Sequence, residues 1–167
     1  MKTLLIVFVV IVGFVLLKKF SSKSSPQVTS GKFIPDVEKS FAYVEGDILL
    51  TTEKGKYGLM KVLKVERMDA KEGEKLNIAG QTLIAPTNDF FYIVHAALGE
   101  YKYDSEALAN EASRGPNWIK IGHVPMRPSG LMQSIVKKLT AQSVTDSELE
   151  GYRQWRVHYE AGKAGIW

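Results

Sequence analysis

Hydrophobic positions change period twice along this chain. An uncharged run from Thr3 to Leu17 lies between Lys2 and the pair Lys18–Lys19. At ~1.5 Å of rise per helical residue the run spans roughly 22 Å, short of the ~30 Å hydrocarbon core of a bilayer. Taking Met1 to Phe20 brings the length to about 30 Å once the lysine heads snorkel to the interface. Residues 1–20 therefore read as a single-pass transmembrane anchor, with the lipid bilayer as a partner. A cleaved secretory signal is the rival reading, since its apolar region has a similar length. Its best cleavage site, Ser22-Lys23-Ser24, is poor. Residues 21–32 are rich in serine, include Pro26 and Gly31, lack an apolar period, and read as a flexible linker.

From Phe41 to Tyr103 the apolar spacing is β-like. Strands are expected over Ile48–Thr52, Tyr57–Val65 and Gln81–Ala85, with a hairpin turn at Glu53–Lys56 and a charged loop over Asp69–Lys75. The unbroken run Phe90–Leu98 is the candidate for a central strand covered on both faces. Asp104–Arg114 combines helix formers with a capping residue, and Gly115-Pro116 ends it. Trp118–Val124 returns to β character, and Pro125–Pro128 is a turn. Leu131, Ile135 and Leu139 at four-residue spacing predict a helix over 131–139.

The last helix has the clearest start. Thr145-Asp146-Ser147-Glu148 matches a capping box, with Val144 and Leu149 placed as a hydrophobic staple. Tyr152, Trp155 and Tyr159 then share one face of a helix running towards Gly162. The expected fold is α+β: a small curled antiparallel sheet, SH3-like in one version, with C-terminal helices, occupying residues 33–167 behind the transmembrane helix.

Charge alters this picture in one respect. The chain has 22 basic and 18 acidic residues, but residues 1–32 hold five lysines and no acid. Residues 33–167 carry 17 basic against 18 acidic residues, a net −1, so the basic character belongs to the anchor and linker. A nucleic-acid partner is not expected, because that requires a clustered positive field on the domain itself. The lysines after the anchor favour a cytoplasmic domain, with the periplasm as the alternative. With no cysteine, a lipoprotein anchor and a disulfide framework are both excluded.

Candidate chemistry is sparse. His95, His123 and His158 fall in no metal-ligand spacing, so no metal or other cofactor is expected. His95 and His123 read as satisfied strand histidines and His158 as a solvated one. No G-x-S-x-G turn and no phosphate-cradling loop occurs. The expectation is a protein without catalytic activity. A hydrolase using His95 or His123 is the catalytic alternative. The residue types enriched at interface hot spots gather instead in Tyr152, Arg153, Trp155 and Arg156. The reading favoured beside it puts Tyr152 and Trp155 on the packing face of an amphipathic helix, with the arginines solvated. The apolar pair Ile166-Trp167 is expected to dock on the domain or on a partner.

The combination of Gly46-Asp47 opening a strand, Lys61–Val65, Gly122-His123-Val124-Pro125 and the closing Gly151-Tyr152-Arg153-x-Trp155…Gly162–Trp167 resembles small immunity proteins that neutralise secreted bacterial toxins. The resemblance covers most of residues 41–167 and supplies no catalytic residues. It implies stoichiometric binding of a cognate toxin, with Tyr152, Arg153, Trp155, Arg156 and Trp167 as the partner-binding residues expected here. A structural or regulatory adaptor of a cell-envelope complex is the alternative.

Overall fold

The structure, a computed structural model, describes residues 33–115 and 117–167. The expected anchor and linker lie outside the described residues, among which no helix is long and apolar enough to cross a membrane. Among the described residues, seven strands form two antiparallel sheets, accompanied by three short α-helices and a 3-10 turn at Asp36–Lys39. The domain is thus broadly α+β, with the sheets dominant.

The strands are β1 (Asp47–Glu53), β2 (Lys56–Ala70), β3 (Lys75–Ile78), β4 (Gln81–Ile84), β5 (Asp89–Gly99), β6 (Ile119–Met126) and β7 (Ile135–Ala141). The large sheet runs β6-β5-β2-β1-β7, and β3-β4 forms a separate ribbon. The β1–β2 hairpin closes through Lys54 and Gly55 with φ of 51° and 79°. Both central residues are left-handed, as a two-residue turn matched to strand twist requires. β2 runs to Ala70, further than the sequence suggests, and shortens the expected loop to the residues just before β3.

β5 is buried on both faces, from Phe91 through Ile93, Val94, His95, Ala96 and Ala97. It lies second in the sheet, and the middle position belongs to β2. Helix α1 (Glu106–Ala112) starts on Ser105, whose Oγ accepts from the Leu108 amide at 3.4 Å. Helix α2 (Pro128–Met132) is a single turn, and the helix expected over 131–139 is overturned. Ile135–Ala141 forms β7, hydrogen-bonded to β1 through two irregularities in register. Those bulges break the two-residue alternation that would have marked a strand.

Helix α3 (Glu150–Glu160) opens later than the capping box predicts, on Leu149 with no side-chain cap, and the box closes the turn before it instead. The Glu148 amide donates to Thr145 Oγ1 at 3.4 Å, and Glu148 Oε2 accepts from the Thr145 amide at 2.8 Å. The pairing register puts Ile48, Lys61, Lys64, Glu66, Ile93, His95 and Ala97 on one face of the large sheet. α1 covers one end of that face, over Ile48, Leu50 and Leu59; α3 covers the other, with Trp155 beside Phe91 and Ile93. The opposite face gathers Leu49, Met60, Val62, Val94 and Ala96 beneath Leu131 of α2.

The C-terminal residues tie the two sheets together. The Ile166 amide donates to Asn77 O at 3.3 Å and the Ala79 amide donates to Ile166 O at 2.7 Å, so Ile166 bridges in parallel to β3. One residue on, the Trp167 amide donates to Pro125 O at 3.1 Å and a main-chain oxygen of Trp167 accepts from the Arg127 amide at 2.6 Å. Residues 166 and 167 thus span from the ribbon to the edge of β6. Ile166 is fully buried, a contribution of roughly 1.5–3 kcal/mol by transfer of its side chain alone.

Candidate functional site

The five residues singled out on α3 and at the C-terminus separate into inward and outward groups. Trp155 is 8% exposed, stacks on Tyr159 with ring centroids 4.7 Å apart, and donates from Nε1 to Gly165 O at 3.0 Å. Tyr152 is half-buried, its ring 4.7 Å from that of His95. Arg156 reaches Glu66 Oε1 at 2.9 Å and Glu160 Oε1 at 2.8 Å. Arg153 stays on the surface, paired with Asp146 at 2.7 Å. Trp167 keeps 38% of its surface exposed although its backbone is held by β6. The structure therefore brings Tyr152, Trp155 and Arg156 together beneath the helix, while Arg153 and Trp167 remain outside.

Under α3 lies a cluster that the sequence does not announce. His95 on β5 and His123 on β6 face each other, with His95 Nδ1 and His123 Nε2 at 3.0 Å and their rings nearly parallel at 13°. On the other side of His95, Nε2 stands 3.4 Å from Glu66 Oε2, short of a formed hydrogen bond. Glu66 Oε1 takes the Arg156 guanidinium and, at 3.5 Å, the Tyr152 hydroxyl.

One pair of tautomers suits these contacts best. A carboxylate only accepts, so His95 Nε2 carries the hydrogen and His95 Nδ1 is left as an acceptor. His123 Nε2 must then donate to it, which leaves the lone pair of His123 on Nδ1. The opposite tautomers would aim a lone pair at a carboxylate.

Electrostatics set the charge of the cluster. Burial lowers the His95 pKa, and Lys64 and Arg156 add to that, outweighing the nearby Glu66 carboxylate. Burial and then His95 push His123 down to about 4. Burial works to raise Glu66, but His95 and Arg156 outweigh it and hold the carboxyl below its ordinary value. Near neutrality the cluster is a carboxylate, two neutral imidazoles and a guanidinium. His123 is then a good hydrogen-bond acceptor and a weak proton abstractor.

A second polar unit sits beside the first. Lys61, with 4% of its side chain exposed, donates to Glu148 Oε1 at 2.8 Å, Glu148 Oε2 at 3.0 Å and Ser143 O at 3.0 Å. It pins the turn that leads into α3 onto the sheet. Between that turn and β6 opens a pocket of about 290 Å³, lined by Ala97, Ile119, His123, Ser147, Glu148 and Gly151 among others.

Among the described residues no three histidine, aspartate or glutamate side chains converge on a metal position. His158 is exposed on α3, as its sequence position implies. What sequence reasoning misses is the meeting of His95 with His123. The signal is present in the placement of each histidine in a β-like segment; the pairing and its register are not. No protein-family model matches the chain, and no curated protein or solved structure matches it either.

Proposed function

We propose that the chain is a non-catalytic binding protein, held at a membrane by residues 1–20, that engages a protein partner stoichiometrically in the manner of the toxin-neutralising immunity proteins it resembles. The observation that carries the reading is the chemical state of the cluster beneath α3. His95 and His123 are neutral and bonded to each other, Glu66 is matched by Arg156, and Glu148 is matched by Lys61. That arrangement supports a rigid platform for a helix more than it supports acid–base chemistry.

The outward side of α3 provides the contact surface in this reading. Val157, 66% exposed, follows Arg153 by one helical turn, and Trp167 supplies an aromatic side chain from the C-terminus. Aromatic and arginine side chains are the types that carry most interface energy. The domain would face the cytoplasm, following the lysine balance around the anchor.

The test is growth of cells expressing the protein encoded by an adjacent gene, with and without this chain. Rescue of growth by the full-length chain, with no phenotype on deleting the chain together with that neighbour, is the expected result. An envelope defect on deletion in the absence of any toxic neighbour would favour the adaptor role, in which an SH3-like sheet takes a partner segment.

A further inference from the structure

Among the described residues, His123 lines the pocket beside α3 and has a ring nitrogen that neither the fold nor the binding reading uses. Ala97 of β5, Ile119 of β6 and Gly151 of α3 supply apolar parts of the pocket lining. Both Glu148 oxygens are engaged by Lys61, and one also accepts from Thr145. Ser147 Oγ shares a hydrogen bond with Thr145 Oγ1 at 3.0 Å. His123 Nε2 is committed to His95. His123 Nδ1 has no hydrogen-bond partner among the described residues, and it is not one of the atoms sealed from solvent.

We propose that this pocket binds one planar aromatic group bearing an N–H or O–H donor, an indole or a phenol, with the donor on His123 Nδ1 and the ring over Ala97. Size and chemistry select that class together. At about 290 Å³ the pocket lies just under the ~300–1,000 Å³ of typical small-molecule sites, room for a single ring system. A carboxylate or phosphate would bring a second set of lone pairs against Nδ1 and stand beside the Glu148 carboxylate. An ammonium or guanidinium would need a free acid, and Glu148 already has Lys61. A ring without a donor would cover Nδ1 and leave it unmet, a penalty of ~1–3 kcal/mol. The neutral state of His123 keeps that lone pair available across the physiological range.

The proposal deepens the binding reading, because a partner would supply such a group as a tryptophan or tyrosine side chain. The pocket's own preference can be measured without the partner, so the two claims fail separately. The experiment is a titration of the full-length chain in lipid nanodiscs, labelled with ¹⁵N-histidine, with indole, p-cresol and toluene in turn, read by long-range ¹H–¹⁵N correlation at His123. Indole and p-cresol should move the Nδ1 resonance saturably away from the position of a bare imidazole nitrogen. Their affinity should exceed that of toluene at least ~10-fold, the equivalent of about 1.4 kcal/mol. Ala97→Val, which adds two methyl groups to the lining, should weaken indole binding by a similar factor; should that variant unfold, the wild-type series decides alone. No saturable change at Nδ1, or an equal response to toluene, would overturn the proposal.

Discussion

Gly151 approaches His123 so closely that a Cβ on the glycine would lie 2.5 Å from the Cβ of the histidine. The atom in the way is the first carbon of a strand side chain, which cannot swing aside. This contact sets how near α3 comes to β6, and with it the distance from Tyr152 and Trp155 to the His95 ring.

Gly151→Ala should therefore destabilise the domain, although alanine favours a helix over glycine by up to ~1 kcal/mol. Overpacking of this kind costs roughly 1–3 kcal/mol, so a net loss of about 1–2 kcal/mol is expected in urea unfolding. A gain in stability would mean that α3 stands off the sheet further than the structure places it.

Acid should loosen the same region. His123 titrates near 4 in the fold against an ordinary 6.5, so the unfolded chain binds this proton more readily. Stability is fully present above about pH 6.5 and falls as pH drops towards 4. His95, also lowered, and Glu66, lost as pH falls through its depressed folded pKa, act in the same direction. At ~1.36 kcal/mol per pH unit the His123 interval amounts to about 3 kcal/mol, reduced to ~2 by its partial contact with solvent. Lys64 and Arg156, both close to this cluster, oppose any further positive charge. Urea midpoints followed by tryptophan fluorescence between about pH 7.5 and 4.5 should show the decline, and His123→Gln should flatten it.

The C-terminal tie should be energetically divided between its two residues. Ile166→Ala removes a fully buried side chain from the junction of β3 with the main core and should cost ~2–4 kcal/mol. Trp167→Ala, with backbone pairing intact and 38% of the side chain already exposed, should cost under ~1 kcal/mol. Equal losses in thermal unfolding would contradict the division.

How far these features are legible in the sequence depends on how local their causes are. The Glu53–Lys56 turn and the strand at Phe90–Leu98 carry their determinants within a few residues, and both are found in the fold; the Thr145–Glu148 bonds also form, but in a turn ahead of a helix that opens only at Glu150. β7 reads as helix because Leu131, Ile135 and Leu139 mimic a helical stripe, while its real hydrogen bonds come from β1 across two bulges. β3 is four residues long and depends on β4 and on Ile166, which is far along the chain. The histidine pair is more distant still from local rules. His95 and His123 share a face only because β5 and β6 pair with His95 opposite Pro125, two residues along β6 from His123. A one-residue slip would turn the two rings to opposite faces. For the tail, an apolar terminal pair leaves two destinations open; Ile166 lies in the domain, and the Trp167 side chain is the part that stays outside.

The most direct measurement is the affinity of the full-length chain for the protein encoded by an adjacent gene, compared between wild type and an Arg153→Ala/Val157→Asp variant. Both changes lie on the outward side of α3, away from Trp155 and the His95–His123 pair. The predicted result is one-to-one binding by the wild type and at least a ~10-fold weaker complex for the variant, with melting temperatures unchanged. No binding by the wild type, or equal binding by the variant, would contradict it.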